Sequence, residues 1–383
     1  MTHKTLIATA LCMAGFAGAS LSASAAQVQV YGLIDTSLSL VSSDADVDGM
    51  DRTTGLTMET GREFGSRWGL RGTEDLGSGY KIGFVLESGF RSDDGTHDQN
   101  GKLFGRESHI DIYAPWGTVY AGLMPVFGST LGANGLFRAI DPLFANYTKA
   151  FGSGYLTASS WTRVDNALAY KSPTFGPFTA YAMYSFKNSV SSVGVEGKSS
   201  TDRYASLALR YLSGAFEAVL VADTTLYGNA RTGNNYTDDN GWTVTLGGNY
   251  TFGNGVKVLA FGQGFGDMAL NTAARAGVTY DGIYAITDGL GYGFVTGWGA
   301  GLGIHVPAGG GVLKGSVGYR DMDNQWDTDF KRIVASVGYD YPLSKRTALY
   351  AMGGYSREKV ETSTGAEAKP DGYELTMGMV HRF

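Results

Sequence analysis

Charged residues at every second position give this chain its clearest chemical pattern. Arg67 and Arg71 have the same parity in one segment, and Arg163, Asp165 and Lys171 have the same parity in another. In a β-strand, residues of equal parity share a face, so each set would point to one side of its strand. Charges fixed on a wet, narrow surface filter ions and orient solutes without a chemical step. The alternative is that they are solvated strand ends or structural ion pairs.

An acidic run near the N-terminus offers a weaker chemical signal. The stretch Asp44-x-Asp46-x-Asp48-Gly49 is similar to the first half of a calcium-binding loop, but its twelfth position is Gly55 where a glutamate is needed. It is a weak divalent-cation candidate, and a solvated acidic loop is the alternative.

The sequence contains no recognisable catalytic or cofactor motif. Its five histidines lack zinc-ligand spacing, and no Gly-x-Ser-x-Gly nucleophile elbow is present. Gly-x-Gly steps near 289–303 precede no strand-to-helix unit, so they do not predict a phosphate-binding loop. We therefore predict a protein that is not an enzyme and needs no cofactor or metal.

The N-terminal residues have the pattern of a secretory signal. Lys4 precedes the apolar stretch 6–19, and Ser24-Ala25-Ala26 provides a small-residue cleavage site. We predict a signal peptide at 1–26 and one further unit at 27–383. The single cysteine, Cys12, lies in the segment to be removed. The net charge of −6, which becomes one unit more negative without Lys4, argues against a nucleic-acid partner.

Strict alternation dominates the rest of the chain and predicts strands. In one segment Phe178, Ala180, Ala182, Tyr184 and Phe186 would share a face opposite smaller or more polar residues. Segments 242–250 and 313–320 repeat the pattern. No stretch after the signal approaches the ~18 uninterrupted apolar residues of a spanning helix. If one face meets lipid and the other lines water, these segments are transmembrane β-strands.

The connections alternate between short and long. Short turns lie near 75–79, 115–117, 173–177, 213–214, 253–255, 307–311 and 342–346. Longer polar stretches lie near 42–54, 92–102, 125–161, 189–201, 227–240, 267–294, 321–329 and 357–371. Together they predict an all-β, antiparallel transmembrane barrel of about sixteen strands. Phe383 would close it by joining the last strand to the first, roughly 28–41.

Several recognisable motifs are distributed along the whole chain: Val30–Asp35, Gly65–Gly77, Leu86–Phe90, Leu103–Arg106, Asn166–Phe186 and His381–Phe383. Together they resemble the Gram-negative porin family, especially its betaproteobacterial branch. The resemblance implies a homotrimer in the bacterial outer membrane, in contact with lipid and lipopolysaccharide. It also implies passive diffusion of ions and small hydrophilic solutes through a water-filled lumen.

The resemblance further implies that the third loop folds into the lumen, opposite a ladder of basic side chains. The connection from about Met124 to Ser160 is the longest in the chain, which nominates it independently. Arg67, Arg106 and Arg163 match the ladder positions, and Glu87 matches an acidic wall position.

The third loop departs from the family in its charge. The family often has Pro-Glu-Phe-Gly where this chain has Pro125-Val126-Phe127-Gly128, so one carboxylate is missing. The predicted basic constriction residues are Arg67, Arg106, Arg163, Arg71, Arg138 and Lys149; the acidic ones are Glu87, Asp141 and Asp165. Since positive charge is in excess, we predict a preference for anions. The alternatives are a channel selective for one organic anion or sugar, and a surface enzyme or adhesin on a barrel scaffold.

One segment does not fit simple alternation. If Arg106 faces the lumen, then Glu107, His109 and Asp111 would face lipid, which is costly. We predict that a trimer contact buries them; a β-bulge that resets the faces is the alternative.

Overall fold

A computed structural model describes residues 27–132, 134–143, 152–158, 162–188, 195–228, 239–270 and 276–383. The predicted signal peptide, residues 1–26, lies outside these ranges. No helix in the described ranges is both long and apolar enough to cross a membrane.

The chain is built from antiparallel strands that follow one another around a single sheet. The strands are β1 (Gln27–Asp44), β2 (Thr53–Thr60), β3 (Arg67–Gly77), β4 (Tyr80–Gly89), β5 (Glu107–Ala114), β6 (Gly117–Pro125), β7 (Arg163–Lys171), β8 (Phe178–Ser185), β9 (Arg203–Ser213), β10 (Phe216–Leu226), β11 (Gly241–Thr251), β12 (Lys257–Ala269), β13 (Phe294–Ala308), β14 (Gly311–Asn324), β15 (Asp329–Pro342), β16 (Thr347–Glu361), β17 (Glu367–Ala368) and β18 (Asp371–Arg382). A short α-helix covers Tyr280–Ile286, and 3-10 turns cover Gln99–Gly101, Leu136–Ala139, Ser153–Tyr155 and Gly277–Thr279.

These strands form a closed antiparallel barrel with sixteen strand positions. Both β2 and β3 pair with β1, at its two ends, so together they fill one position. The two-residue β17 is a short addition to β16 in the last connection. Because β1 also pairs with β18, the sheet closes on itself, as the sequence predicted.

The last residue completes the closure. The backbone groups of Phe383 and Gly32 exchange two hydrogen bonds, each 3.1 Å long. A Cβ on Gly32 would lie 2.4 Å from the Phe383 ring, so this position has no room for a side chain. Phe383 is 49% exposed, and many of the apolar residues on the outer surface of the strands are exposed as well.

Deleting Phe383 is therefore expected to lower barrel stability by about 2–4 kcal/mol, through two lost hydrogen bonds and the lost ring contact. Denaturant unfolding in detergent micelles measures this, with Phe383→Tyr as the control that keeps the ring. Equal unfolding midpoints for the deletion and the wild type would contradict the role given to this residue.

Alternation separates an apolar outside from a more polar inside. In β11, Trp242, Val244 and Leu246 are exposed on the outer surface, whereas Thr243 and Thr245 are buried on the inner one. The aromatic side chains Tyr250, Phe252, Tyr339 and Tyr341 lie near strand ends, where a membrane interface favours them. The outer face suits lipid, and the inner face encloses the functional groups.

Two features of the fold differ from the sequence prediction. The connection predicted at 321–329 is short, because β14 and β15 extend until only residues 325–328 separate them. The strand position next to β1 is interrupted at residues 61–66. There the backbone turns away from the sheet, and the Asp35 carboxylate accepts hydrogen bonds from the N–H groups of Glu63 (3.1 Å) and Phe64 (2.6 Å).

Candidate pore constriction

Three of the predicted charged residues meet on the inner wall. Glu87 on β4 accepts a hydrogen bond from Arg106 Nε at 2.7 Å and lies 3.9 Å from Arg67 Nη1. The Tyr31 hydroxyl donates to the other Glu87 oxygen at 3.0 Å. Glu87 is only 5% exposed and Arg106 is fully buried, so this ion pair is largely screened from the lumen, and the Arg67 side chain, 15% exposed, supplies the remaining positive charge of the group.

Arg163 lies beside this group at the start of β7. Its Nε donates to the backbone oxygen of Arg106 at 2.8 Å, which brings the three predicted ladder arginines into one neighbourhood. The prediction that Arg163, Asp165 and Lys171 share a face is wrong, because a register shift between Val164 and Ala167 resets the alternation within β7. Asp165 is not part of the cluster, because it pairs with Lys102 at 2.9 Å. Sequence reasoning did not single out Lys102, which belongs to the connection between β4 and β5.

Arg71 lies farther along β3, away from the Glu87 cluster. Its side chain is exposed, its Nε donates to Gln29 Oε1 at 3.0 Å, and its guanidinium lies 4.9 Å from the centre of the Tyr31 ring. Because the residue is four positions after Arg67, it is offset by about 13 Å along the strand. Arg71 is thus a separate positive charge, located between the Glu87 cluster and the end of the barrel that carries the short turns.

The described parts of the β6–β7 segment (residues 126–132, 134–143, 152–158 and 162) contact the barrel wall at β11 and β12. Their contacts with that wall include Phe137 against the ring of Phe261 (5.0 Å between centroids), the Ala139 oxygen to Asn249 Nδ2 (2.7 Å), and the Ala158 nitrogen to Gln263 Oε1 (2.7 Å). These wall residues lie on β11 and β12, several strands from β6 and β7.

The predicted charges of the β6–β7 segment differ in their exposure. Arg138 is exposed and its Nε donates to the Thr130 oxygen at 3.0 Å, whereas Asp141 is only 2% exposed. The Asp141 carboxylate accepts the Leu143 N–H at 3.3 Å. Lys149 lies outside the described residues. Of the two described charges, only the positive one is presented to solvent.

The expected outward placement of Glu107, His109 and Asp111 is wrong. All three are buried on the inner face of β5, and Ile110 and Ile112 are the exposed outer residues. The strand begins at Glu107, so Arg106 precedes it and does not follow its alternation. A trimer contact is therefore not needed to cover these charges.

His109 links the two carboxylates of this row. Its Nδ1 lies 2.6 Å from Asp111 Oδ1 and its Nε2 lies 3.0 Å from Glu107 Oε2. The Tyr113 hydroxyl donates to the other Asp111 oxygen at 3.0 Å. These acids are therefore engaged with local partners.

A second charged group on the inner wall was missed from the sequence. Arg320 on β14, Arg332 on β15 and Glu358 on β16 lie directly opposite one another in register. Arg320 Nη2 is 2.5 Å from one Glu358 oxygen and Arg332 Nη2 is 2.6 Å from the other. All three side chains are at most 1% exposed. Equal parity on three neighbouring strands was the available signal, but it requires the pairing register.

This row also contacts residues within 276–292, in the described part of the long connection between β12 and β13. Arg332 Nη2 donates to the Ala276 oxygen at 2.9 Å and to Thr279 Oγ1 at 2.7 Å, while the Tyr292 hydroxyl donates to Glu358 at 2.6 Å. Burial raises the pKa of the Tyr292 phenol above its ordinary value, so the hydroxyl stays protonated and can donate. The group thus anchors residues 276–292 over the inner wall.

The interrupted segment 61–66 adds further charge contacts inside the barrel. Lys314 on β14 is ion-paired with Asp340 and lies 3.6 Å from Glu63, and Arg62 lies 2.9 Å from Glu59. These side chains are paired with one another and tie the segment to the wall.

The acidic loop shows no arrangement for a cation. Asp44 pairs with Arg52 at 3.3 Å, and the Asp46 carboxylate accepts the backbone N–H of Lys369 at 2.6 Å. Among the residues described, no group of three or more His, Cys, Asp or Glu side chains is placed to hold a metal ion.

Comparison with known proteins identifies this architecture. The family model for Gram-negative porins matches residues 8–361. The chain therefore belongs to the Gram-negative porin family, and it is an outer-membrane porin.

Individual relatives agree with this assignment. An outer membrane porin protein of Bordetella pertussis is 33% identical over 380 residues, covering 92% of this chain and 94% of the relative. Outer membrane porin protein 32 of Delftia acidovorans is 30% identical over 372 residues, with 96% and 93% covered. The solved anion-selective porin from Comamonas acidovorans is similar with a TM-score of 0.66 and 26% identity, over 94% of this chain and all of that one.

Proposed function

We propose that this porin is a general diffusion channel that prefers anions. The observation that carries the proposal is the contact of Arg67 and Arg106 with the largely buried carboxylate of Glu87, beside which Arg163 donates to the backbone oxygen of Arg106. A net positive wall beside a narrow aqueous path lowers the energy of a passing anion and raises that of a cation. The anion-selective Comamonas acidovorans porin supports the proposal by its similarity.

The narrow point is formed, in this proposal, between the arginine wall and the β6–β7 segment folded inward. The contacts of that segment with β11 and β12 support its inward course, and exposed Arg138 adds positive charge. The carboxylate of Asp141 contributes little because it is buried.

Assembly and processing complete the proposal. The channel acts as a homotrimer, residues 1–26 are removed on export, and the exposed apolar side chains of the outer face contact membrane lipid and lipopolysaccharide. Neither ion filtering nor diffusion needs a catalytic step, so no enzymatic role is assigned. Mass spectrometry of the mature N-terminus at Gln27 and of the intact assembly would test the first two statements.

We expect the purified porin to pass more chloride than potassium in a planar bilayer. The reversal potential across a tenfold KCl gradient measures the preference, and the current in the presence of neutral sugars measures whether the pore is general. A reversal potential of the sign set by potassium would contradict the anion preference. A current strongly blocked by one sugar would instead favour a sugar-selective channel.

A further inference from the structure

We propose that Lys171, Thr118 and Tyr113 form a subsite on the inner wall that binds small aromatic carboxylates on their way through the pore. The proposal rests on the proposed function and adds a solute class to it. It concerns the short-turn end of the lumen, since Lys171 is eight positions from Arg163 along β7, about 26 Å of strand.

The pairing register brings these side chains together. Tyr113 on β5 lies opposite Thr118 on β6, which lies opposite Lys171 on β7, which lies opposite Tyr181 on β8. Neighbouring strands are ~4.8 Å apart, so Tyr113 and Lys171 flank Thr118 with about 10 Å between their strands. That spacing suits a carboxylate carried on one aromatic ring.

Lys171 supplies an uncommitted positive charge. Its ammonium lies 5.9 Å from the centre of the Tyr181 ring, and it forms no ion pair with any described carboxylate. It is also partly buried, so it has lost some of its hydration. An anion that replaces this hydration would be favoured more than at a fully solvated lysine.

The other charged groups facing this region are occupied by one another. The pairs are Arg210 with Glu217 (2.7 Å), Lys81 with Asp75 (3.6 Å), and Asp111 with His109 (2.6 Å) and the Tyr113 hydroxyl (3.0 Å). Lys171 therefore remains the uncompensated charge of the row.

Tyr113 supplies a fixed aromatic surface. A Cβ on Gly83 would lie 2.9 Å from Tyr113 Cε2, so the absence of a side chain at Gly83 lets the ring lie close to the wall. The hydrogen bond to Asp111 fixes the ring orientation. Ring stacking with a planar solute adds to the charge attraction at Lys171 and gives preference for an aromatic anion over an aliphatic one.

Current block by sodium benzoate tests the subsite, with sodium acetate and benzyl alcohol as the probes that lack the ring or the charge. In the wild type, benzoate should block at lower concentration than either. Lys171→Gln should raise the half-blocking concentration of benzoate about tenfold, and Lys171→Arg should keep it close to the wild-type value. Tyr113→Leu should raise it about fivefold without changing the acetate value, while Tyr113→Phe, which keeps the ring but loses the hydrogen bond to Asp111, should raise it less than Tyr113→Leu does.

Lys345→Gln is the matched control, because Lys345 is an exposed lysine of the β15–β16 turn at the same end of the barrel. KCl conductance and heat-dependent gel mobility establish that each variant is folded. The subsite is overturned if benzoate blocks Lys171→Gln at the same concentration as the wild type, or if Lys345→Gln raises the half-blocking concentration as much as Lys171→Gln does. It is also overturned if acetate and benzoate block the wild type at equal concentrations. If the reversal potential favours anions and any of these results is found, only the subsite is refuted. If the reversal potential favours cations, the proposed function is refuted, whatever the block experiments show.

Discussion

Replacing Glu358 with glutamine is expected to destabilise the folded barrel by about 3–5 kcal/mol, because it leaves two buried guanidinium groups without their shared carboxylate. Arg320 and Arg332 both contact Glu358 at 2.6 Å or less. Glutamine has a single acceptor oxygen where glutamate has two, and its NH₂ group is a donor that would face the donors of the arginines. Equilibrium unfolding in denaturant, in detergent micelles, measures the loss.

The same substitution should release residues 276–292 from the wall. Their attachment runs through Arg332 and the Tyr292 hydroxyl, so limited proteolysis should cut this connection faster in Glu358→Gln than in the wild type. Glu361→Gln is the control on the same strand, since that glutamate is exposed and pairs with Lys359; its cost should be below about 1 kcal/mol. Equal stability of the two variants would show that the buried row does not anchor the connection.

Replacing Arg67 and Arg138 together with alanine is expected to reduce the chloride-to-potassium permeability ratio about tenfold. Arg67 belongs to the basic wall and Arg138 is exposed on the β6–β7 segment, so the double variant removes one proposed pore charge from each. A unit charge at ~4 Å contributes about 1 kcal/mol even in water, and two such charges exceed the 1.4 kcal/mol that equals a factor of ten. The reversal potential in a KCl gradient measures the change.

The control for this variant is Lys345→Ala with Arg346→Ala, which removes two positive charges from an exposed turn. Salt screens charges beyond about 10 Å at 0.1 M, so this pair should leave the ratio almost unchanged. Arg106→Ala is less suitable than Arg67→Ala, because it removes the 2.7 Å hydrogen-bond partner of the buried Glu87 carboxylate. A change in the permeability ratio could then not be separated from a loss of stability. An unaltered ratio in the Arg67/Arg138 variant would refute the proposed constriction.

Strand alternation predicted most of the barrel wall, but it predicted less about the residues that lie inside the barrel. The segment 178–186 could be assigned to a strand with defined faces, because each residue's side depends only on its parity. Asp141 could be recognised as a loop acid, but its burial depends on how the β6–β7 segment packs. Among the described residues, the missing carboxylate at Val126 and the exposure of Arg138 both make the charge of this segment more positive.

Arg106 shows why parity fails at strand ends. The alternation rule holds only where the backbone is extended, and β5 begins one residue later, at Glu107. Counting from Arg106 therefore placed His109 and Asp111 on the wrong face. Knowing where β5 pairs with β4, at Glu107 opposite Glu87, corrects the error at once.

By itself, the sequence determined that this chain forms a closed barrel with an apolar outside, because a two-residue period and a terminal phenylalanine are local features that need no partner to be read. Only the tertiary structure decided which charges meet. Arg320, Arg332 and Glu358 are separated along the chain, and so are Tyr113 and Lys171, but pairing register sets each group side by side. Register is fixed by the packing of whole strands and by barrel closure, so no single segment encodes it.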